Sequence, residues 1–345
     1  MRHRLLGLAL LVGLCSVTAS QDLHFASDHG LYGYVDPTGA WIIEPRFLEA
    51  SGWEDGSARV RLPNGDFAFI DTKGKYLMQP QRLERLGYLS EGLAVFEPEG
   101  GNYDTDGFVK NVGFIDVTGH VVIAPHFFAA YDFSEGVAAA SVEFGKCGYI
   151  DRRGLFVVLP TFEFPDYQNC GPFSQGLAHV MKDRKYGYIN HAGTIVITPH
   201  YEYAFDFSEG FAVVGVGAKY GFIDKNGKGL GPLSYSYARG FSEGLAAVAV
   251  VDKWGFINQS GALVIPAKYE EVGDFSEGLA WIQANGKRGY IDSYGNVVVP
   301  PQYDDATDYW NGMAEVRQYQ AGSEDADEIR TLIDKAGLHV PLRNK

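Results

Sequence analysis

The sequence predicts an all-β protein built from tandem three-stranded antiparallel units. Glycine is abundant, at 43 of 345 residues, and it disfavours long helices because it costs about 1 kcal/mol in a helix interior. Aromatic residues make up 14% of the chain, which is typical of short strands joined by tight turns. A phrase containing both residue types recurs along the chain. We therefore expect a propeller-like or open curved repeat array.

The first twenty residues have the layout of a secretory signal peptide. Basic residues at 2 and 4, an apolar run over 5–14 and small residues at 18–20 precede Gln21. The run is shorter than the roughly 20 residues that cross a bilayer. We expect cleavage near Gln21 and a periplasmic or extracellular protein without a membrane span. A buried first helix and a lipoprotein anchored through Cys15 are the alternatives, and the leucine before Cys15 disfavours the second.

The net charge excludes two classes of partner, and the cysteine content indicates a possible disulfide. The formal net charge of −14 argues against nucleic acid, whose phosphates require a basic surface, and against electrostatic docking on anionic lipid. Cys147 and Cys170 remain after the leader is removed, and in an oxidising compartment they are a candidate disulfide. Two buried free thiols are the alternative, since spacing alone does not show the geometry that a bridge needs.

Three phrases recur in fixed order over residues 21–345, which predicts a single array of about nine repeats. The central phrase is Gly-aromatic-Ile-Asp/Asn-x-x-Gly, and its copies, two of them degenerate, lie at 33–39, 68–74, 113–119, 148–154, 187–193, 221–227, 255–261, 289–295 and 331–337. A lead-in of the type aromatic-Ser-Glu-Gly-Leu-Ala precedes most copies, as at 241–246. Each copy is followed by a proline, as at Pro266.

These phrases resemble the WG-repeat (KWG-type) family. Residues 253–258 read Lys-Trp-Gly-Phe-Ile-Asn and carry the closest match, together with the lead-in at 241–246. Tyr186 and Tyr220 replace the tryptophan in two units, and Cys147 and Arg288 replace it in two others. The resemblance implies a β-rich repeat array that is often exported or attached to other domains. It implies no single activity.

One repeat, 241–274, shows how each unit is expected to fold. Strands are predicted over 245–251, 254–257 and 262–266, with a turn at 258–261 in which Asn caps the turn and Gly supplies a positive φ. Both faces of the first strand are apolar, so neighbouring units are expected to cover each sheet on both sides. Proline in every third strand places that strand at an outer edge. Closed and open arrays both satisfy this pattern.

The repeated acidic residues are interpreted as parts of turns. Glutamate recurs inside Ser-Glu-Gly at positions 91, 135, 209, 243 and 277, and a residue repeated in five units is better explained by structure than by catalysis. We predict no catalytic residues and no required cofactor. His126 and His200 occupy the same place after the unit proline, and a surface position is favoured over a metal pair.

One insertion carries the spacing of a calcium loop. Asn102, Asp104 and Asp106 occupy positions 1, 3 and 5 of such a loop, with glycine at position 6. Position 12 is Gly113 rather than glutamate, so this is not an EF-hand. A solvated polar loop is the favoured interpretation, and calcium is the alternative.

Together these features favour an exported, non-enzymatic repeat protein that acts as a binding or scaffold module for a protein or glycan ligand. The alternative is an exported hydrolase that acts on glycans through acidic residues on the array. A non-repeated pair of essential acids would distinguish the hydrolase, and the sequence does not identify such a pair.

Overall fold

A computed structural model describes residues 23–100, 111–163, 170–319 and 328–342. These residues form 33 strands and no helix. Because each glycine-rich turn follows a short β-branched or aromatic run, the chain reverses every few residues, and within each sheet a strand pairs with the one before it. All the pairings are antiparallel, and neighbours in sequence are neighbours in each sheet.

The strands fall into nine consecutive units. Units 1 to 3 contain β1 (His24–Asp28), β2 (Leu31–Val35), β3 (Trp41–Phe47); β4 (Glu49–Ala50), β5 (Ser57–Arg61), β6 (Phe67–Asp71), β7 (Tyr76–Gln81); and β8 (Leu83–Ser90), β9 (Leu93–Pro98), β10 (Val112–Asp116), β11 (Val121–Phe127). Units 4 to 6 contain β12 (Ala129–Ala130), β13 (Ala138–Glu143), β14 (Lys146–Ile150), β15 (Phe156–Glu163); β16 (Ala178–Lys182), β17 (Lys185–Ile189), β18 (Ile195–Tyr201); and β19 (Tyr203–Ser208), β20 (Phe211–Val216), β21 (Lys219–Asp224). Units 7 to 9 contain β22 (Tyr237–Ser242), β23 (Leu245–Val250), β24 (Lys253–Asn258), β25 (Leu263–Tyr269); β26 (Glu271–Val272), β27 (Leu279–Ala284), β28 (Lys287–Asp292), β29 (Val297–Tyr303); and β30 (Asp305–Ala306), β31 (Met313–Tyr319), β32 (Glu328–Asp334), β33 (His339–Val340).

Most units contain one strand more than the predicted three-stranded meander. The additional strand precedes the meander in units 2, 3, 4, 7, 8 and 9, and in unit 8 it is only Glu271–Val272. Unit 6 has the preceding strand β19 but, in its described residues, no strand after β21. A two-residue strand is too short to show an alternating pattern in the sequence. In units 6 and 7 the preceding strands, β19 and β22, contact each other. We call the preceding strand the inner strand, because the proline-containing strand lies at the opposite edge in most sheets; the exception is β15, which pairs with β16 of unit 5.

The nine units close into a propeller-like ring. Ala26, Val35 and Trp41 of unit 1 pack with Met313 and Leu332 of unit 9 in one buried cluster. The first and last units bury apolar faces against each other, as consecutive units do. This agrees with the expectation that both faces of each sheet are apolar and covered by neighbouring units. Of the two arrays that the sequence left open, the structure therefore adopts the closed one.

The first glycine of the central phrase permits a close approach within its own sheet, as at Gly255 in unit 7. A Cβ atom at Gly255 would lie 2.4 Å from the Ile265 carbonyl oxygen and 2.7 Å from the Ala267 nitrogen, both in the outer strand β25. The register between β24 and β25 shifts on both sides of Phe256. The outer strand bulges inward here, and glycine is required because any side chain would meet backbone atoms.

Candidate functional site

The repeated Ser-Glu-Gly turn joins each of units 3 to 8 to the next unit. The Ser242 hydroxyl donates to the Phe275 carbonyl at 2.6 Å, and the Gly278 N–H donates to the Glu243 carboxylate at 2.8 Å. We call this pair of hydrogen bonds the seam clamp. Serines at 90, 134, 174, 208 and 276 donate to the next unit in the same way. Carboxylates at 91, 135, 209 and 277, and the amide of Gln175, accept from the next unit's glycine.

The seam clamp explains why these glutamates recur. Glu243 has a positive φ of 52°, a strained conformation for a non-glycine residue that places its side chain over the next turn. The same conformation occurs at the other clamp positions, including Gln175. Since Gln175 cannot act as a carboxylate yet makes the same bond, the repeated position serves structure. The clamp glutamates are therefore not assigned a catalytic role.

A second contact repeats at the seams. In unit 8, the Tyr290 ring lies 4.8 Å from the Tyr309 ring of unit 9, and its hydroxyl donates to the Thr307 carbonyl at 2.7 Å. Burial is the main reason that the pKa of Tyr290 is raised above its usual value, and so this hydroxyl remains a donor. Equivalent aromatic pairs occur at six other seams, with centroid distances of 4.6 to 5.1 Å.

The seam between units 9 and 1 is built differently. Leu332 stands where other units carry the aromatic ring, and Trp310 stands where they carry the clamp serine. The seam is instead held by the buried cluster and by side-chain contacts, including a 3.1 Å hydrogen bond between His24 Nε2 and the Asn311 carbonyl. Beside it lies a groove of about 660 Å³. We call it the unit 1 groove, and its lining includes Leu23, Phe25, Trp53, Tyr88, Trp310 and Met313.

Four aspartates occupy equivalent positions in or just after the inner strands, two residues before the clamp serine or its replacement: Asp132, Asp206, Asp274 and Asp308. Burial raises the pKa of Asp274, and burial together with the negative charge of Asp274 raises that of Asp308. The Asp206 carboxylate lies 3.1 Å from His179 Nδ1. This row is the place where the structure brings non-clamp acids together, and the sequence did not identify it.

A row of four aromatic rings, two of them exposed and two partly buried, crosses units 6 and 7. The centroids of Tyr203, Tyr220, Tyr237 and Trp254 follow one another at 5.5, 5.2 and 5.8 Å. Tyr203 and Tyr237 are each 46% exposed, and the Arg239 guanidinium lies 5.3 Å from the Trp254 ring centroid. We call these four residues the aromatic row. In the sequence, the row is marked by Tyr203 and Tyr237. Each follows another tyrosine, Tyr201 or Tyr235, by two residues.

The remaining candidates from the sequence are the two cysteines and the three calcium candidates. Cys147 and Cys170 form a disulfide with their Cα atoms 6.0 Å apart. The calcium candidates Asn102, Asp104 and Asp106 lie outside the described residues. Among the residues that are described, no three His, Cys, Asp or Glu side chains are placed to hold a metal ion.

His126 and His200 lie on the surface, separately from one another. Each ring nitrogen Nδ1 is 2.6 Å from the carbonyl oxygen two residues earlier. Each ring also packs against the aromatic residue that follows it, at 4.0 and 3.8 Å. The same local contacts in two units give both histidines a structural role.

The described part of the chain contains no helix that is long and apolar enough to cross a membrane.

Comparisons with known proteins identify the repeat and the fold. Seven segments match the model of a family described as WG containing repeat: 32–65, 113–146, 148–186, 186–220, 220–253, 254–287 and 289–320. No curated protein matches the chain. A solved eukaryotic initiation factor is 11% identical with a TM-score of 0.62, covering 92% of this chain and 94% of that one. The dihydro-heme d1 dehydrogenase NirN, in complex with DHE, is 12% identical with a TM-score of 0.50, covering 93% and 73%. These likenesses show a shared propeller-like fold alone.

Proposed function

Because the chain belongs to the WG-repeat family, whose repeats define an array rather than a reaction, we propose that it is an exported, non-enzymatic binding or scaffold module. Its ligand is a protein or a glycan. A ring of similar units presents many loops and inner strands to one partner, which suits recognition. The repeated acids are engaged in the seam clamps, so they are not available as a hydrolytic pair.

The aromatic row is the observation that carries this proposal. Exposed tyrosines beside an arginine supply large contact area at low conformational cost, and such residues are enriched in binding surfaces. Aromatic faces also stack on sugar rings. Tyr203 and Tyr237 keep nearly half of their surface open to solvent although burying them against each other would be favourable. A partner that covers the row would gain this apolar area.

A binding comparison tests the row. Glycan arrays and envelope extracts from the producing cell are probed with the mature protein and with Tyr237→Ala. The matched control is Tyr294→Ala, which removes an 85% exposed tyrosine from a turn of unit 8. We expect at least about a tenfold loss of affinity for Tyr237→Ala, equivalent to about 1.4 kcal/mol, and none for the control. Equal binding by both variants would remove the row from the proposal.

Export is part of the same proposal. The basic start, the short apolar run and the small residues before Gln21 support a cleaved leader. A disulfide between Cys147 and Cys170 fits an oxidising compartment. N-terminal sequencing of the native protein should begin near Gln21, whereas a retained Met1 would contradict export.

Calcium binding at Asn102, Asp104 and Asp106 remains a separate proposal, supported by their spacing alone. Such a site would need backbone and water ligands, so its dissociation constant for calcium should be about 0.1–1 mM. Calcium should raise the melting temperature of the wild type but not that of Asp104→Ala/Asp106→Ala. An equal shift in both proteins, or in neither, removes the site.

The second candidate is the exported hydrolase, and the inner-strand aspartates favour it. Asp274 and Asp308 lie close enough for one charge to raise the other's pKa, and paired carboxylates with separated pKa values are the basis of glycoside hydrolysis. Hydrolysis of cell-wall or storage glycans by the wild type, abolished in Asp308→Asn, would establish this function. Absence of turnover under conditions in which the glycan binds would exclude it.

A further inference from the structure

We propose that the aromatic row binds a linear acidic glycan, whose sugar rings stack on the aromatic rings while its carboxylate groups meet Lys219 and Lys253. The proposal deepens the binding function above, on which it rests, by naming the ligand as a glycan with negative charge. Three observations support it: the arrangement and spacing of the rings, the state of the two lysines, and the charge of units 6 and 7.

The four rings of the aromatic row occupy equivalent positions in two consecutive units. In unit 6, Tyr203 and Tyr220 pair with Gly215 from its two sides, and unit 7 repeats this arrangement around Ala249. A Cβ atom at Gly215 would lie 3.0 Å from the Tyr220 ring and 3.1 Å from the Tyr203 ring. Glycine therefore lets the two rings meet over bare backbone, and the contact of Tyr220 with Tyr237 continues the surface into unit 7.

The spacing of the rings suits a chain of sugars. Consecutive ring centroids are 5.2 to 5.8 Å apart, which is close to the length of one pyranose unit in an extended glycan. The negative face of an aromatic ring attracts the C–H groups on one face of a sugar ring. In unit 8 the equivalent positions hold Glu271, Gln283 and Arg288, so the aromatic surface ends at the border of that unit.

The first lysine of the strand that carries the central phrase forms an ion pair in the units on either side of the row. In unit 5, Lys185 Nζ lies 3.0 Å from the carboxylate of Glu202, which stands 17 residues further along the chain. In unit 8, Lys287 forms the same pair with Asp304, again 17 residues further on. A carboxylate of the protein itself therefore neutralises the lysine in both of these units.

The equivalent lysines of units 6 and 7 lack this ion pair. Ser236 stands 17 residues after Lys219, and the Lys219 ammonium donates to the Ser234 carbonyl at 3.4 Å. Glu270 stands 17 residues after Lys253, but it accepts from the backbone of the unit 8 hairpin. Among the described residues, no carboxylate lies within ion-pair distance of either ammonium group. Both lysines are exposed, so an anionic ligand can supply the missing charge.

The charge of units 6 and 7 also favours an anionic ligand there. Residues 203–269 contain six Lys or Arg and five Asp or Glu, a net charge of +1, in a chain whose net charge is −14. At one end of the row, the Arg239 guanidinium lies 5.3 Å from the Trp254 ring centroid and 3.8 Å from Glu271. An anionic chain is repelled least by these two units, so charge directs it to the row.

A glycan fits these units better than a nucleic acid, which also combines stacking with cations. Proteins that bind single-stranded nucleic acid follow its backbone with a positively charged groove, and a net charge of +1 over residues 203–269 does not supply one. A neutral glycan would use the rings but not the lysines. An acidic glycan uses both.

Oligosaccharides that differ only in charge test the proposal on the purified protein. The probe is the hexamer of β-1,4-linked mannuronate, and its matched control is the hexamer of β-1,4-linked mannose, which has the same backbone without carboxylates. The hexamer of α-1,4-linked galacturonate provides a second acidic backbone. By calorimetry we expect at least about tenfold weaker binding of the neutral hexamer than of an acidic one, with a difference that shrinks as salt is added. Failure of both acidic hexamers to bind, or equal binding of the neutral one, overturns the proposal.

Lysine variants locate the carboxylate contacts. Lys219→Gln/Lys253→Gln should weaken binding of the acidic hexamer at least about tenfold and leave the neutral hexamer unaffected. The matched control Lys225→Gln/Lys228→Gln makes the same change of charge in the turn that follows β21, and it should bind as the wild type does. All four lysines are exposed, so the melting temperature should not fall in either variant. Equal affinities of the two variants for the acidic hexamer would overturn the proposal.

The remaining outcomes separate this proposal from the general binding function. A protein or a neutral glycan that depends on Tyr237 but binds equally well to Lys219→Gln/Lys253→Gln would keep the binding function and overturn the acidic glycan. Tighter binding of a single-stranded oligonucleotide than of either acidic hexamer would overturn it as well. Tyr237→Phe keeps the stacking face and should bind the acidic hexamer, whereas Tyr237→Ala should not. Equal binding by these two variants would move the ligand off the rings and overturn the proposal.

Discussion

Two seams of the ring join neighbouring units through different interactions: the seam between units 7 and 8, and the seam between units 9 and 1. At the first, the clamp residues Ser242 and Glu243 bond the backbone of unit 8, and Phe256 packs on Phe275. At the second, a buried apolar cluster and a histidine side chain join the units. The clamp fixes one spacing between neighbours, whereas the closing seam leaves a groove beside it.

This difference separates stability from recognition in the ring. A hydrogen bond to a neighbour's backbone does not depend on the neighbour's side chains, so the clamp can be repeated while other positions vary. The closing seam depends on particular side chains, such as those of Trp41, Met313 and His24. We therefore expect the regular seams to carry stability and the closing seam to tolerate change.

The largest effect is expected at the central glycine of a regular unit. Gly255→Ala would place a Cβ atom 2.4 Å from the Ile265 carbonyl oxygen, and the outer strand must move. We expect a destabilisation of roughly 3 kcal/mol or more. The control Gly240→Ala adds a Cβ at an ordinary 3.7 Å from Ser208 and should be nearly neutral. Thermal unfolding of both variants measures this, and similar melting temperatures would refute the close approach.

Loss of one clamp hydroxyl should have the next largest effect. Ser242→Ala leaves the Phe275 carbonyl without its donor, which should cost about 1 kcal/mol. Ser260→Ala is the matched control, because Ser260 bonds only within its own exposed turn, to Asn258. Chemical denaturation should separate the two variants. A control as unstable as Ser242→Ala would mean that the clamp contributes nothing particular.

A smaller, pH-dependent effect is expected at Glu277. Burial acts to raise its pKa, but hydrogen bonds from Lys335 and from the Gly312 N–H outweigh burial and lower it below the usual 4.5. A lowered folded-state pKa stabilises the protein above pH 4.5, and this contribution is lost as pH falls through the lowered value. Glu277→Gln should therefore destabilise the ring by under about 1 kcal/mol at pH 7 and not at strongly acidic pH. A loss that is independent of pH would contradict the assignment.

The smallest effect is expected at Asp308 and has the opposite sign. Its pKa is raised above 3.8 by burial and by Asp274, so ionisation opposes folding above the raised value, and stability is greater at lower pH. Asp308→Asn should raise the melting temperature at pH 7 by about 1–2 °C and leave it unchanged below pH 3.8. Destabilisation at pH 7 would mean that the carboxylate is needed for structure.

The sequence was sufficient for the repeated parts of the molecule. The central phrase predicted strands such as β24, and the turn at 258–261 has the Asn258 cap and the positive φ at Gly261 that its residues indicate. The prolines placed the third strand at an outer edge, as observed for strands such as β25 and β29. In unit 4 the prediction was wrong, because β15 also pairs with β16 of unit 5 through Glu163 and Met181. These features are local, so each depends on a few adjacent residues.

The features that join distant residues could not be predicted in the same way. The inner strand β26 is two residues long and is defined by its partner rather than by its own pattern. Gly255 accommodates the outer strand of its own sheet, a contact that depends on how that strand bulges. Ring closure and the unit 1 groove arise from contacts between residues such as Ala26 and Leu332, which no local pattern reports.

Hydrogen exchange resolved by unit tests the comparison of the two seams most directly. The amide of Gly278, which donates to Glu243 across the regular seam, should exchange only through opening of the ring. Amides of β1, which lies at the closing seam held by a buried cluster and by His24, should exchange through a smaller local opening. Uniform protection of all nine units, or greater protection of β1 than of Gly278 in the free protein, would contradict the account.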